Sequence, residues 1–306
     1  MTEGSTGSGR DHAPTGLSRR ALLGGGLATL LLGTGCQPIV QAAPAITVEA
    51  LVKERPFHIA YRGGAQDWPE MTAYAYQQAA ALPGLKALDV SVCLSADGVL
   101  VCSFDENLKR LTGKDLTIGS QDWATLSQLQ VTAKYTSDPR QPKRPLARLE
   151  EVMEAHLDQF VIFVEPRLKE ATGNLMATLI GLGRPERIVW KQPVTSPRFL
   201  EAKRHGFSTL GYVLDEPAHL GVNLSRYAAA PEIDLMGFSR RRNDAFISTV
   251  VKAARSQQKP LVSWDVTDPA QRARLLGLGC MGIASSDIKA LLAAPVPAKE
   301  LPPAER

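Results

Sequence analysis

Strand-like apolar runs alternate with helix-like amphipathic segments along most of this 306-residue chain. Such alternation is typical of repeated βα units, because neighbouring parallel strands need a crossover connection, usually a helix. The strand candidates are residues 57–62, 86–93, 99–104, 160–165, 187–192, 209–214, 233–238, 260–265 and 280–284. The helix candidates are residues 69–82, 146–157, 169–182, 197–205, 244–257 and 268–277. The rhythm predicts a single (β/α)8 barrel, in which binding residues gather at the carboxyl ends of the strands.

The nine strand candidates are one more than an eight-stranded barrel needs. The sequence before the third candidate explains the additional one. Asp97 and Gly98 between two apolar runs are a hairpin signal, so residues 86–104 are predicted to leave the barrel and return. With those two residues as the loop, Cys93 faces Cys102 in a non-hydrogen-bonded pair, where Cα atoms lie roughly 4.5 Å apart. We expect a Cys93–Cys102 disulfide in an exported protein; the alternative is two small buried side chains.

Residues 1–45 have the features of an export signal and linker. Arg19 and Arg20 precede an apolar stretch over residues 21–32 that is too short to span a bilayer as a helix. This arrangement resembles a twin-arginine signal. Cys36 follows in a Gly-Thr-Gly-Cys block similar to a lipoprotein cleavage box, except that Gly33 stands where leucine is usual. We expect a periplasmic or cell-surface protein, attached to the membrane only through its signal or a lipid on Cys36. The alternative is an ordinary small-residue cleavage site at residues 40–42 and the alanines that follow.

The rest of the chain is predicted to form a barrel domain over residues 46–292 and a flexible tail over 293–306. Residues 107–143 are polar and turn-rich, and their length predicts an insertion over the barrel mouth. The formal charge of +4 comes from 35 basic and 31 acidic residues spread along the chain. Without a polybasic patch, nucleic acid is not an expected partner.

The first strand candidate ends in a pattern suited to ligand binding. Arg62 places a positive charge beside Gly63 and Gly64, whose backbone can adopt positive φ and approach a ligand closely. Pro69 and Glu70 follow with the composition of a helix N-terminus, where the helix dipole favours a carboxylate. An ordinary strand, turn and helix with a surface arginine is the alternative interpretation of this stretch.

Six short blocks in series resemble the glycerophosphodiester phosphodiesterase family, over roughly residues 57–292. They read Ala-Tyr-Arg-Gly-Gly, Pro-Glu-Met-Thr, Ala-Leu-Asp-Val, Val-Cys-Ser-Phe-Asp, Val-Glu-Pro-Arg and Ser-Trp-Asp-Val. The family has His-Arg-Gly, Pro-Glu-Asn-Thr, Glu-x-Asp, His-Asp and Glu-x-Lys in the first five places. The resemblance implies a TIM-type barrel of the phospholipase C-like phosphodiesterase kind. It also implies phosphodiester hydrolysis with a divalent cation, Mg²⁺ or Ca²⁺, an arginine on the phosphate and two histidines for proton transfer.

The resemblance carries several roles onto matching positions of this chain. For the metal, the implied carboxylates are Glu70, Asp89 and Glu165. For the substrate, the implied residues are Arg62, Arg167 in place of the family's lysine, and Trp264. A metal-free alternative is that Arg62 and Arg167 form ion pairs with the two barrel carboxylates.

Three positions with an implied catalytic or metal-binding role carry residues that cannot perform that role in the family's way. Tyr61 and Phe104 stand where the two histidines belong, and Ala87 replaces the first metal carboxylate. We therefore expect a weakly bound cation or none. Of the other histidines, His58 is predicted to point to the opposite face of its strand, and only His219 lies at the correct end of the barrel. A solvated loop residue is the plainer interpretation of His219.

Three functions follow from these features. The preferred hypothesis is an exported, catalytically degenerate family member that binds a phosphodiester or phospholipid headgroup. The second is a working metal-dependent phosphoric diester hydrolase whose acid–base residue is Tyr61 or His219. The third is an envelope interaction protein that retains the barrel and makes contacts through residues 107–143.

Overall fold

The computed structural model describes residues 46–296, so the expected signal, Cys36 and the end of the tail lie outside the described residues. Apolar runs form the strands where the sequence predicts them, and most ends agree within two residues. The strands are β1 Phe57–Ala60, β2 Ala87–Leu94, β3 Leu100–Cys102, β4 Gln130–Val131, β5 Arg144–Pro145, β6 Val161–Pro166, β7 Ile188–Pro193, β8 Ser208–Tyr212, β9 Leu235–Ser239, β10 Leu261–Val266 and β11 Gly282–Ser285.

Eight parallel strands close into a barrel. The hydrogen-bonded order runs β1, β11, β10, β9, β8, β7, β6 and β2, and β1 also pairs with β2, which closes the ring. The predicted (β/α)8 barrel is therefore confirmed. Strand alternation sends one set of side chains, such as Ile59 and Val189, into the barrel, while the other set, such as Trp190, packs under the surrounding helices.

The surrounding helices follow the predicted segments with some additions. They are α1 Val48–Lys53, α2 Ala73–Ala80, α3 Lys109–Thr112, α4 Trp123–Leu126, α5 Leu149–His156, α6 Lys169–Leu182, α7 Phe199–Arg204, α8 Val222–Ala229, α9 Asp244–Arg255, α10 Pro269–Gly277 and α11 Ile288–Ala293. The sequence pattern missed α1, α3, α4, α8 and α11, which are all short. None of the helices between residues 46 and 296 has the length and apolar character needed to span a bilayer.

The predicted helix start at Pro69 and Glu70 is wrong. Helix α2 begins at Ala73, because Thr72 adopts an extended conformation and its side chain accepts a hydrogen bond from the Ala75 amide. A threonine N-cap of this kind satisfies one of the free amides of the first turn. Glu70 therefore belongs to no helix and lies in the loop that leads to α2.

The hairpin exists, but its register differs from the prediction by one residue. The Ser95 amide donates to the Val99 carbonyl at 2.9 Å, and Gly98 takes a left-handed φ of 87°, so the loop is longer than two residues. Cys102 consequently faces Val92, while Cys93 faces Val101. The two cysteines point to opposite faces, and both are buried free thiols. The predicted disulfide is therefore wrong.

Residues 107–143 form a small unit beside the barrel mouth. Despite its polar composition, the unit packs against the hairpin through a small apolar cluster to which both contribute. The cluster consists of Cys93, Val101, Leu108, Leu111, Ile118, Leu126, Val131 and Leu146. The Ser137 amide donates to the Gln66 carbonyl at 2.6 Å, and Gln141 Nε2 donates to the Asp67 carbonyl at 2.7 Å. These bonds fasten the unit to the loop that follows β1.

The first residues of the predicted tail are held by the barrel. The buried Arg272 guanidinium donates to the carbonyls of Leu291, Ala294 and Pro295 at 2.8, 3.0 and 2.6 Å. Carbonyls at the end of a helix have no partner within it, so an arginine here satisfies groups that α11 leaves open. The barrel domain therefore contacts the described chain as far as Pro295.

Candidate functional site

The chain turns sharply where β1 meets the barrel mouth. Arg62, Gly63 and Gly64 all adopt left-handed φ values, of 53°, 74° and 86°. A Cβ atom on Gly64 would lie 2.9 Å from the Trp68 ring, so glycine is needed there for space as well as for conformation. Arg62 takes the same conformation at some cost, since residues with a Cβ rarely adopt it. The prediction of positive φ at both glycines is confirmed.

A cavity of about 270 Å³ opens at the carboxyl ends of the strands. Its two sides differ in chemistry. The charged and polar lining comes from β1, β2, β6 and β7, with the chain just after them: Tyr61, Asp89, Glu165, Arg167 and Lys191. The opposite side is apolar and includes Trp264, whose ring meets that of Tyr212 edge-on at a centroid distance of 5.6 Å. The implied substrate residue Trp264 therefore lines the cavity.

An inner cluster of four charges, Asp89, Glu165, Arg167 and Lys191, lies at the floor of the charged side. Lys191 Nζ donates to Asp89 Oδ1 and lies 3.6 Å from Glu165 Oε2. Arg167 Nη1 donates to Glu165 Oε1 at 2.8 Å, and Ser91 Oγ donates to the same oxygen at 3.0 Å. The two carboxylates are thus matched by two cations inside the protein.

Burial and charge act against each other in the inner cluster. Burial would raise the pKa of Glu165, but the charges of Lys191 and Arg167, with their hydrogen bonds, bring it below its usual value. Burial would lower the pKa of Lys191, but the charges of Asp89 and Glu165 raise it. The glutamate and the lysine therefore remain ionised at neutral pH.

An outer cluster, Arg62, Glu70, Asp105 and Arg110, lies beside the cavity rather than in it. Arg110 donates to both oxygens of Glu70, at 2.6 and 3.0 Å, and to Asp105 Oδ2 at 2.5 Å. Arg62 Nη1 lies farther from Glu70 Oε1, at 3.4 Å. Glu70 was predicted as a metal carboxylate together with Asp89 and Glu165. The structure instead places it in this separate cluster, where arginines occupy both of its oxygens.

Phe104 separates the two arginines that were predicted to contact phosphate. The guanidinium carbon of Arg62 lies 3.4 Å from the centroid of the Phe104 ring, and that of Arg167 lies 3.8 Å from it. Two guanidinium groups this close to one centroid would overlap on a single face, so they stack on opposite faces. Arg62 Nη2 also donates to the Tyr61 hydroxyl at 3.3 Å. Tyr61, Arg62 and Phe104 therefore form one continuous contact at the mouth.

Comparison with known proteins agrees with this architecture. A family model described as "Glycerophosphoryl diester phosphodiesterase family" matches residues 61–290. The chain belongs to this family. A stretch of 66 residues is 38% identical to the glycerophosphodiester phosphodiesterase GDPD6 of Arabidopsis thaliana. That match covers 22% of this chain and only 18% of the relative's length.

Solved structures of glycerophosphodiester phosphodiesterases have the same fold. The enzyme of Thermotoga maritima superposes with a TM-score of 0.63 at 20% identity, over 78% of this chain and 98% of its own. The enzyme of Agrobacterium tumefaciens gives 0.60 at 18% identity, over 78% and 100%. A phosphodiesterase of Oleispira antarctica, solved with the product sn-glycerol-3-phosphate, gives 0.62 at 18% identity, over 78% and 96%. At these identities the likeness establishes the fold alone.

The divalent cation implied for this family does not fit the residues present. Lys191 Nζ already contacts both remaining carboxylates, and the buried methyl group of Ala87 offers no ligand. Between residues 46 and 296, no three histidine, cysteine, aspartate or glutamate side chains come together as a metal site. An ammonium group and a metal ion compete for the same oxygens, so these residues support no reaction step through a metal.

No histidine among residues 46–296 replaces the two that this family member lacks. His219 is buried rather than solvated, and its Nδ1 accepts a hydrogen bond from the Leu214 amide at 2.9 Å, so the interpretation of a solvated residue is wrong. Burial lowers its pKa. His58 lies on the face of β1 that points away from Ile59 and Tyr61, as predicted. None of the described residues that line the cavity is a histidine.

Lys191 and Arg110 are charged members of the site that the sequence did not predict. Lys191 was overlooked because it was counted as part of an apolar strand, although a lysine between Trp190 and Gln192 is unusual for a buried run. Arg110 lies in the predicted insertion and reaches Glu70 only through the folding of that unit. A lysine inside an apolar strand could have been recognised from the sequence as unusual, whereas nothing in the local sequence distinguishes Arg110.

Proposed function

We propose that this family member binds the phosphodiester group of a glycerophosphodiester or phospholipid headgroup at the barrel mouth, without hydrolysing it by histidine acid–base catalysis. The observation that carries the proposal is the position of Phe104. It stands in the second histidine position and is stacked between Arg62 and Arg167. A phenyl ring can move no proton, but it can hold two guanidinium groups in place for an anion.

The remaining groups are poor bases. Burial raises the pKa of Tyr61, so its hydroxyl stays protonated at neutral pH and can donate a hydrogen bond but not take a proton. Asp89 and Glu165 are engaged by Lys191 and Arg167. A hydrolase would need a group that accepts a proton from water near neutral pH. The cavity lining within residues 46–296 contains no histidine, the side chain that most often makes this transfer.

The arginines provide the phosphate contact. Arg110 occupies both Glu70 oxygens, so Arg62 is only weakly compensated by that carboxylate. The buried Nε of Arg62 has no hydrogen-bond partner among the described residues. A phosphate oxygen would satisfy this donor, and guanidinium groups match phosphate geometry well. The complex of the Oleispira antarctica protein with sn-glycerol-3-phosphate supports a ligand of this class.

The other parts of the ligand meet the opposite side of the cavity. Trp264 and Tyr212 offer aromatic surface to the glyceryl or alcohol group. On the charged side, Asp89 Oδ2 is buried and accepts no hydrogen bond from the described residues, so a ligand hydroxyl would satisfy it. A cavity of about 270 Å³ with one charged and one aromatic side suits a small amphiphilic headgroup rather than a whole lipid.

We also propose that the protein acts outside the cytoplasm. Support comes from the paired Arg19 and Arg20 before the apolar stretch, and from Cys36 as the candidate for lipid attachment. Replacing both arginines by lysine should retain the protein in the cytoplasm, as measured by cell fractionation. Cys36→Ala should release it from the membrane fraction while leaving export intact. Unchanged fractionation of both variants would contradict the proposal.

The test of function incubates the purified protein with glycerophosphocholine in Mg²⁺, Ca²⁺ or EDTA. We expect no release of choline or glycerol phosphate, together with ligand-dependent thermal stabilisation. A ligand at one hundred times its Kd stabilises by about 2.7 kcal/mol, which for a domain of this size raises Tm by roughly 5–10 °C. Arg62→Gln should abolish this rise.

Arg198→Gln is the matched control, because Arg198 is an exposed, ion-paired arginine on the outside of the barrel. It should leave the thermal response unchanged. Turnover that depends on added metal and is lost in Asp89→Asn would show a working hydrolase instead. No turnover and no thermal response would favour the interaction protein, which is then tested by partner capture with and without residues 107–143.

A further inference from the structure

We propose that the Lys191 ammonium group takes the place of the divalent cation in this site. It neutralises the carboxylates of Asp89 and Glu165, as a metal ion would, and thereby excludes metal ions. The inference concerns the cavity of the proposed function, but its test uses metal ions alone. Failure of headgroup binding and failure of this proposal can therefore be told apart.

The order of the strands in the sheet places Lys191 next to the two carboxylates. In the parallel sheet, Asp89 on β2 lies beside Phe163 on β6, and Glu165 lies two residues farther along the same strand. β7 follows β6 in the sheet, and Lys191 points inward because Val189 does so two residues earlier. The side chain thus enters from the strand next to Glu165 and reaches across to Asp89.

The carboxylate oxygens of the inner cluster leave little for a metal. Asp89 Oδ1 accepts from Lys191, and Glu165 Oε1 accepts from Arg167 and Ser91. Glu165 Oε2 lies 3.6 Å from Lys191 Nζ. A divalent ion would have to displace the ammonium group, and Mg²⁺ in particular gives up its water reluctantly. Of these four oxygens, Asp89 Oδ2 alone has no partner among the described residues.

The balance of charge leads to the same conclusion. The inner cluster contains two carboxylates and two cations, all of them largely buried. Adding a divalent ion while Lys191 stays charged would leave a buried excess of two positive charges, which low-dielectric surroundings strongly disfavour. The bound monoanionic phosphodiester would instead be balanced by Arg62, outside the inner cluster.

The experiment measures binding of Mn²⁺, Mg²⁺ and Ca²⁺ to the protein without any phosphodiester. Calorimetry and thermal shift should detect no saturable site in the wild-type protein, and EDTA should not change its Tm. Lys191→Ala frees Asp89 and the Oε2 atom of Glu165. It is expected to bind Mn²⁺ at least tenfold more tightly than the wild type does. Adding Asp89→Asn to Lys191→Ala should remove the gained site.

Lys203→Ala is the matched control, since Lys203 pairs with Asp234 on the outside of the barrel and its loss frees only one carboxylate. It should gain no metal site. Saturable Mn²⁺ binding by the wild type, undiminished relative to Lys191→Ala, would overturn the proposal. So would a folded Lys191→Ala, verified by circular dichroism, that binds no better than the wild type. If Lys191→Ala does not fold, Lys191→Gln, which keeps more of the side-chain volume, takes its place with the same expected gain.

Discussion

The two charge clusters at the barrel mouth use the same residue types with different results. In the inner cluster each carboxylate has a close cation, and the side chains of Asp89, Glu165 and Lys191 are between 4% and 10% exposed. In the outer cluster Glu70 is equally buried, but Arg110 is 32% exposed and Arg62 has an unused donor. Both clusters contain two carboxylates and two cations. They differ in that the outer one has a guanidinium donor, Arg62 Nε, without a hydrogen-bond partner among the described residues.

This difference predicts which cluster stabilises the fold and which one contributes to the proposed headgroup binding. A buried charge that loses its partner has no access to water, so the whole cost appears as lost stability. A partly exposed guanidinium that loses its partner can be hydrated, so the loss of stability is smaller and ligand binding is expected to change more. Substitutions in each cluster test this division, and the largest effect is expected from the inner one.

Lys191→Met breaks the inner cluster most severely. The substitution preserves much of the side-chain volume but leaves two buried carboxylates with one cation. We expect the free energy of unfolding to fall by about 3–5 kcal/mol, as measured by urea denaturation. Lys203→Met, at a pair with both partners more than a quarter exposed, should cost less than about 1 kcal/mol. Equal losses in the two variants would contradict the comparison.

Glu165→Gln should weaken the inner cluster in a pH-dependent way. The folded pKa of Glu165 is below its ordinary value of 4.5, so its stabilising contribution is present above pH 4.5 and is lost as the pH falls through the folded pKa. We expect the free energy of unfolding of the variant to be about 2–3 kcal/mol below that of the wild type at pH 7, and this difference should become smaller at lower pH. Urea denaturation at several pH values measures it. Two results would argue against a buried ion pair. One is a difference in unfolding free energy between wild type and variant that stays constant down to about pH 3. The other is a difference at neutral pH that disappears when the salt concentration is raised.

Glu70→Gln breaks the outer cluster. One amide oxygen still accepts from Arg110, and both arginines are open enough to be partly hydrated. We expect a loss of about 1.5–2 kcal/mol in the free energy of unfolding, less than for Lys191→Met. Headgroup affinity, measured by calorimetry, should stay the same or rise, because Arg62 loses its competing carboxylate. A fall in affinity with unchanged stability would reverse the assignment of the two clusters.

Phe104→Leu has the smallest expected effect on stability, at about 1 kcal/mol, because the side chain is only partly buried. Loss of the stacked ring removes two cation–π contacts and lets Arg62 and Arg167 move. We expect headgroup affinity, measured by calorimetry, to fall by roughly five- to thirtyfold, equivalent to about 1–2 kcal/mol. Phe104→Tyr, which keeps the ring, is the control and should retain most of the affinity. Unchanged affinity in Phe104→Leu would rule out the stack as a binding element.

Much of the fold could be predicted because strand and helix periods are local properties. The eight barrel strands and the helix Lys169–Leu182 lie where the sequence pattern places them. The hairpin was found from Asp97 and Gly98, but its register was not, because one additional loop residue shifts every cross-strand pair. That single shift separated Cys93 from Cys102.

The candidate site was predicted in part. Matching the chain to the family motifs predicted that four residues lie together, and the structure has them in the lining of one cavity: Tyr61, Asp89, Phe104 and Glu165. It did not separate Glu70 from the metal carboxylates, since the loop before Thr72 turns that side chain toward Arg110. Charge pairing between distant segments depends on where the chain passes in space, and no local pattern encodes it.

The sequence by itself determined the barrel, its family, the loss of both histidines and the arginines at the mouth, because these follow from residue type and spacing along the chain. Only the tertiary structure decided what those charges do. Lys191 and Asp89 are separated by 102 positions in sequence and meet because β2, β6 and β7 are neighbours in the closed sheet. That meeting places a protein cation where a metal ion was expected, and its physical reason is the need to neutralise two carboxylates away from water.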